Sequence, residues 1–73
     1  MNIKDRLQSC IEKSGIEITS DGGFENLDSI KFINAIVSIE SEFAIEYPDE
    51  FLSINAFSNI NNIYTIIKNS INN

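Results

Sequence analysis

The sequence predicts a small all-α fold: an antiparallel bundle of three main helices plus one short helix. Three observations carry this. Apolar residues recur at helical spacing in three separate stretches, turn-forming residues separate those stretches, and the 73-residue chain is short enough that mostly local contacts must build its core. A chain of this length forms one domain, residues 1–73, with a modest core.

The first stretch covers residues 3–14. Ile3, Leu7, Cys10, Ile11 and Ser14 fall on one helical face, and Gly15 stands where a C-terminal cap belongs. Cys10 reads as a small core residue of that face. Residues 15–28 form a long connection broken at Gly22-Gly23, with Ile16, Ile18, Phe24 and Leu27 available to pin it inward.

Residues 29–43 read as the second helix. At about 100° per residue, Phe32, Ala35, Ile36, Ile39 and Phe43 share one sector, the width of a core stripe. Ile30, Ile33 and Val37 fall on another, beside Ser29 and bordered by Asn34 and Ser41; Ile33 lies nearer the core sector. A helix that only had to fold would carry polar residues there, so Ile30 and Val37, and less strongly Ile33, are candidate partner contacts. A second core neighbour such as the preceding loop is the plainer alternative.

Tyr47-Pro48-Asp49-Glu50 ends the second helical region and opens a turn, since proline disfavours a helical residue before it. Phe51, Leu52, Ile54 and Phe57 suggest a short helix or packed loop. Ser58 is a candidate N-cap for a last helix whose stripe is Ile60, Ile63, Tyr64, Ile67 and Ile71.

Composition narrows the chemistry. Histidine is absent and there is one cysteine, which removes the usual general base, a thiolate–imidazole zinc set and any internal disulfide. No calcium-loop pattern is present, so no metal site is expected and an enzyme active site is disfavoured. The net charge is −6, and residues 17–50 hold nine acids against the single base Lys31. Such a field repels nucleic acid and anionic membrane and attracts basic protein surfaces. With no apolar leader and no apolar run of membrane length, a cytoplasmic monomer without membrane insertion is the expectation.

Asp28-Ser29 before a helix means, taken alone, only a cap. The wider pattern says more. Leu27-Asp28-Ser29-Ile30, an apolar helix, Glu40-x-Glu42-Phe43, a two-residue gap and then x-Tyr47-Pro48-Asp49-Glu50 resembles the acyl carrier and peptidyl carrier protein family. The match runs without a gap from Asp28 to Glu50, and Phe57-Ser58-x-Ile60-x-x-Ile63 is similar to the family's approach to its last helix.

The resemblance implies an acyl-carrier-protein-like bundle that is not itself an enzyme. Ser29 would bear 4′-phosphopantetheine, taken from coenzyme A by a separate phosphopantetheinyl transferase using Mg²⁺, and Asp28 would help orient the modified site. Cargo would travel as a thioester to acyl- or aminoacyl-loading and processing enzymes. Ile30, Lys31, Ile33, Asn34 and Val37 would form the partner face, Ile30 and Val37 matching the family's apolar contact positions.

Departures from the family pattern shape the expectation further. Lys31, Asn34 and Ser41 stand where fatty-acid-synthesis carriers usually have acids. Asn26 stands where the family favours glycine, and Glu25 where leucine is common. These favour a discrete carrier in a specialised polyketide or nonribosomal-peptide pathway. A fatty-acid carrier or a D-alanyl carrier is the alternative within the class, and an acidic helical interaction module, with Ser29 only capping, is the alternative outside it.

Overall fold

The computed structural model describes residues 2–71. It is mostly helical, with three helices and a two-stranded hairpin around one core. In order these are α1 (Ile3–Lys13), β1 (Glu17–Ile18), β2 (Phe24–Glu25), α2 (Ser29–Phe43), a 3-10 turn (Asp49–Phe51) and α3 (Ile60–Ile71). Helix α1 packs on both α2 and α3.

The three helices form where apolar periodicity places them, and their ends follow from capping. Asn2 caps α1 by accepting the Asp5 backbone N–H at 2.8 Å, and Gly15 leaves the helix in the left-handed region at φ +87°. Leu7, Cys10 and Ile11 are buried on its inner face. Burial, reinforced by the Glu42 charge, pushes the Cys10 thiol up in pKa, as expected of a packing residue and not of a nucleophile.

The all-α expectation needs one correction: residues 15–28 contain an antiparallel hairpin, with Ile18 paired to Phe24 and Glu17 to Glu25. Two residues per strand are too few for alternation to register in the sequence. The inward pins behave as expected, Ile16 buried and Ile18, Phe24 and Leu27 half-buried against the core. At the hairpin tip the Asp21 carboxylate accepts from the Thr19 hydroxyl and, at 3.2 Å, from the Gly23 N–H. The first of these contacts is the main reason the Asp21 pKa lies below the usual value.

The tip is fastened to the start of α3. The Ile60 N–H donates to the Gly22 carbonyl at 2.8 Å, and the Asn59 side-chain amide donates to the Asp21 carbonyl at 3.4 Å. Asn59, not Ser58, caps α3: its Oδ1 accepts the Asn61 N–H at 2.8 Å. Both residue types cap well, and the Gly22 carbonyl decides between them by making Ile60 the first helical residue. Gly22 has φ +89°, and a Cβ there would stand 3.2 Å from both the Asn59 Oδ1 and the Asn61 Nδ2. Gly22→Ala is therefore expected to cost about 1–2 kcal/mol in urea unfolding, from the left-handed backbone and crowding together. A neutral result would mean the tip is not fastened.

Helix α2 stops at Phe43, five residues before Pro48, so the proline is not what ends it. Ala44 takes the left-handed conformation at φ +54°, with its N–H donating to the Glu40 carbonyl. Arg6 of α1 reaches across: its Nε donates to the Glu42 carboxylate and its NH2 to the Glu42 carbonyl, both at 2.8 Å. The same guanidinium lies 4.6 Å from the centre of the Phe43 ring. The Glu40 carboxylate accepts the Tyr47 N–H at 2.9 Å.

Tyr47 itself is a core residue, 3% exposed. Its hydroxyl is buried without a hydrogen-bond partner among the described residues, and burial pushes its pKa up to about 12 from 10.0. The raised value favours the neutral phenol in the folded state. Stability from this group is thus complete below pH 10.0 and fades as pH rises toward about 12. Tyr47→Phe should leave stability at neutral pH unchanged or raise it by up to about 1 kcal/mol, and should weaken the alkaline fall. A clear loss at neutral pH would mean the hydroxyl has found a partner.

The short helix is a single 3-10 turn at Asp49–Phe51, earlier than the expected 51–57 segment, followed by irregular turns into Phe57. Phe57 is fully buried, its ring stacked on Phe24 at 5.2 Å and edge-on to Phe32 at 5.3 Å. In α3, Ile60, Ile63 and Ile67 are buried and Tyr64 is half-buried. Ile71, expected on the same stripe, is 40% exposed, and the half-buried Ile66 packs on the core instead. No described helix is long and apolar enough to cross a membrane.

Candidate functional site

The start of α2 is organised by Asp28. Its backbone is extended at φ −137°, and its Oδ1 accepts the Lys31 N–H at 2.8 Å. The Asp28 carbonyl accepts the first intrahelical bond, from the Phe32 N–H, also at 2.8 Å. Of the two side chains able to cap the helix, the aspartate does so.

Ser29 is thereby left free. It is the first residue of α2, it is exposed, and among the described residues its hydroxyl takes part in no hydrogen bond. The backbone N–H groups of Ser29 and Ile30 likewise have no internal acceptor among the described residues, as expected of a helix's first turn. That turn contains no acidic residue, whereas α1 places Asp5 in its own. An exposed primary alcohol beside unengaged N–H groups suits a covalently attached anion.

The approach to the serine explains one departure in the sequence. Asn26, two residues before Asp28, has φ +64°. This is the left-handed region, where glycine is the default and asparagine is among the few residues tolerated. Asparagine thus meets the same backbone demand that a glycine would. Its conformation was not read from the sequence, although an asparagine between half-buried Phe24 and Leu27 is the available signal.

The apolar sector beside Ser29 faces solvent. Ile30 is 72% exposed, Val37 59% and Ile33 58%. Ile33 is therefore as open as Val37, despite lying nearer the core sector on a helical wheel. The loop does not fold over this face, so the plainer expectation of a second core neighbour fails for these three residues.

The polar members divide. Asn34 and Ser41 are exposed, while Lys31 is half-buried, its side chain lying near Gly15: a Cβ added there would meet Lys31 Cε at 3.5 Å. Lys31 therefore borders the face without standing clear of it. Glu40 and Glu42, which add to the acidity of this region, are engaged by Tyr47 and Arg6.

Ser29, Ile30, Ile33, Asn34 and Val37 thus sit within the first nine residues of one helix, with Asp28 as its cap. The sequence places Phe32, Ile36 and Ile39 as bulky fillers of the bundle interior, a reading that favours exposed cargo, but not the ring partners: Phe32, three residues after Ser29, rests on Phe57, which in turn rests on Phe24. A groove between residues 48–58 and α3, lined by Pro48, Phe51, Asn55, Asn62 and Ile66, includes none of the predicted site residues. No group of three or more His, Cys, Asp or Glu side chains among the described residues is placed to hold a metal ion. Compared with protein-family models, curated proteins and solved structures, the chain matches none of them.

Proposed function

We propose that this protein is a discrete acyl or peptidyl carrier, holding cargo on a 4′-phosphopantetheine arm attached to Ser29. The observation that carries this reading is the division of labour at the start of α2: Asp28 makes the cap, and the Ser29 hydroxyl stays exposed and unengaged. A serine present only for capping would have its oxygen on a first-turn N–H.

The residues fit the group. In the attachment the Ser29 oxygen bonds to the phosphorus next to the pantetheine portion of coenzyme A. The pyrophosphate P–O bond breaks, the adenosine bisphosphate leaves, and the transferase removes the serine proton. The resulting phosphodiester would lie by the free N–H groups of Ser29 and Ile30, while the neighbouring Asp28 carboxylate is engaged by the Lys31 N–H. When bound, the arm supplies a terminal thiol for thioester linkage. The chain itself supplies a rigid point of attachment, a high local concentration of cargo and a face for partners.

That face is Ile30, Ile33 and Val37, bordered by Asn34 and Lys31, and it would meet the transferase and then the loading and processing enzymes. The neutral and basic residues there support partners of a specialised polyketide or nonribosomal-peptide pathway over those of fatty-acid synthesis; a D-alanyl carrier is the remaining alternative in the class. One observation also favours a second class: the exposed apolar stripe would serve a helical interaction module with no prosthetic group equally well.

Intact mass after incubation with coenzyme A and a broad-specificity phosphopantetheinyl transferase separates the two. The carrier gains one phosphopantetheine, and the module gains nothing with any competent transferase.

A further inference from the structure

An arm anchored at Ser29 has two places to put an apolar cargo: outside, or among the helices behind the first turn of α2. The second place is filled. Phe32 sits three residues beyond Ser29 on the inner side of α2, and its ring meets Phe57 edge-on at 5.3 Å. Phe57 is fully buried and stacks on Phe24 at 5.2 Å with the planes 28° apart. The three rings come from β2, from α2 and from the segment before α3, so they join the elements that would have to part. Farther along α2, Ala35 and Ile39 are fully buried against a core containing Ile63 and Ile67. A core packed at the density of a crystal does not admit a flexible chain without expelling a side chain of similar volume.

We infer that Phe57, held between Phe24 and Phe32, acts as a plug that keeps cargo outside the bundle and so sets the cargo class. The proposal rests on the carrier reading and adds to it. The cargo is a short or polar acyl group, such as an aminoacyl unit, and not a long aliphatic chain. A long chain gains by burial roughly in proportion to its length, and with the interior closed it would gain none of that burial behind α2. A short or polar group has little to gain by entry.

The test loads the protein with acetyl- or octanoyl-phosphopantetheine from the corresponding acyl-coenzyme A and a broad-specificity transferase. The isoleucine methyl signals are then followed by NMR. In the wild-type protein the two forms should give the same positions for the core residues Ile39, Ile63 and Ile67, with any difference confined to surface residues such as Ile30 and Ile33. Thioester cleavage by hydroxylamine should run at the same rate for both, since neither is sheltered. Octanoyl-dependent shifts in the core methyls, or markedly slower cleavage of the octanoyl form, would overturn the proposal.

Phe57→Leu, a milder truncation than alanine, should open the interior enough for octanoyl to move the Ile39 and Ile63 signals. A silent core in that variant would take the role away from Phe57. If neither acyl form adds mass at Ser29, with Ser29→Ala as the blank, it is the carrier reading that fails, and the proposal with it.

Discussion

Ser29→Ala should abolish phosphopantetheine uptake completely and leave the fold intact, while Asp28→Ala should do nearly the reverse. The asymmetry follows from the hydrogen bonds at the start of α2. The Asp28 carboxylate holds the Lys31 N–H at 2.8 Å, and the Ser29 hydroxyl holds nothing among the described residues. Losing an N-cap side chain costs about 1 kcal/mol, which in a domain of this size lowers the melting temperature by roughly 4–8 °C. Removing an exposed hydroxyl outside any such network shifts stability by no more than about 0.5 kcal/mol. Asp28→Ala keeps the nucleophilic oxygen and should still be modified, more slowly. Mass spectrometry and thermal unfolding of the two variants side by side decide the matter. Uptake that survives in Ser29→Ala would move the attachment point elsewhere. Equal destabilisation by the two substitutions would return the serine to the cap.

The largest effect on stability should come from Phe57→Ala. The ring is fully buried and packs on two other aromatic rings, so its removal deletes burial, aromatic contacts and the filling of a central volume at once. Such truncations cost about 3–5 kcal/mol. At roughly 0.05–0.15 kcal/mol per residue, the whole domain is stable by only about 4–11 kcal/mol. The variant should therefore lose roughly a quarter or more of the native stability and show a sharply lowered urea midpoint. Leu52→Ala, a truncation at a residue 43% exposed, should cost well under half as much. A Phe57 variant that unfolds within about 1 kcal/mol of the parent would mean that the aromatic trio is dispensable.

The three helices were legible because each carries an apolar stripe long enough to establish a period, and Ile3–Lys13 and Ser29–Phe43 fall almost where that period puts them. The hairpin was not, since Glu17–Ile18 and Phe24–Glu25 offer two residues each. The burial of Tyr47 was hidden for a different reason. It belongs to no periodic segment: the left-handed Ala44 ends α2 and the Glu40 carboxylate holds the Tyr47 N–H, interactions that no local pattern encodes. Between Ser58 and Asn59 the cap was undecidable locally, because the deciding partner, Gly22, lies far away in sequence. At the site, the position of Ser29 and the exposure of Ile30 and Val37 followed from spacing alone. That Asp28 and not Ser29 satisfies the first turn required coordinates, because either side chain has the chemistry to do it.

The fastening of the hairpin tip to α3 has a topological consequence. The Asp21–Asn59 hydrogen bond joins residues 38 apart, and Gly22–Ile60 lies beside it in the same register. Together they close a circuit of chain with the whole of α2 inside it. Ser29 therefore stands on an arc anchored at both feet, one of them the first turn of α3. Fraying at the start of α3 would release the foot that precedes Ser29, loosening the ground under the serine without touching it. The setting of Ser29, and with it the proposed attachment point, thus depends on Asn59 and Ile60, residues about thirty positions farther along the chain.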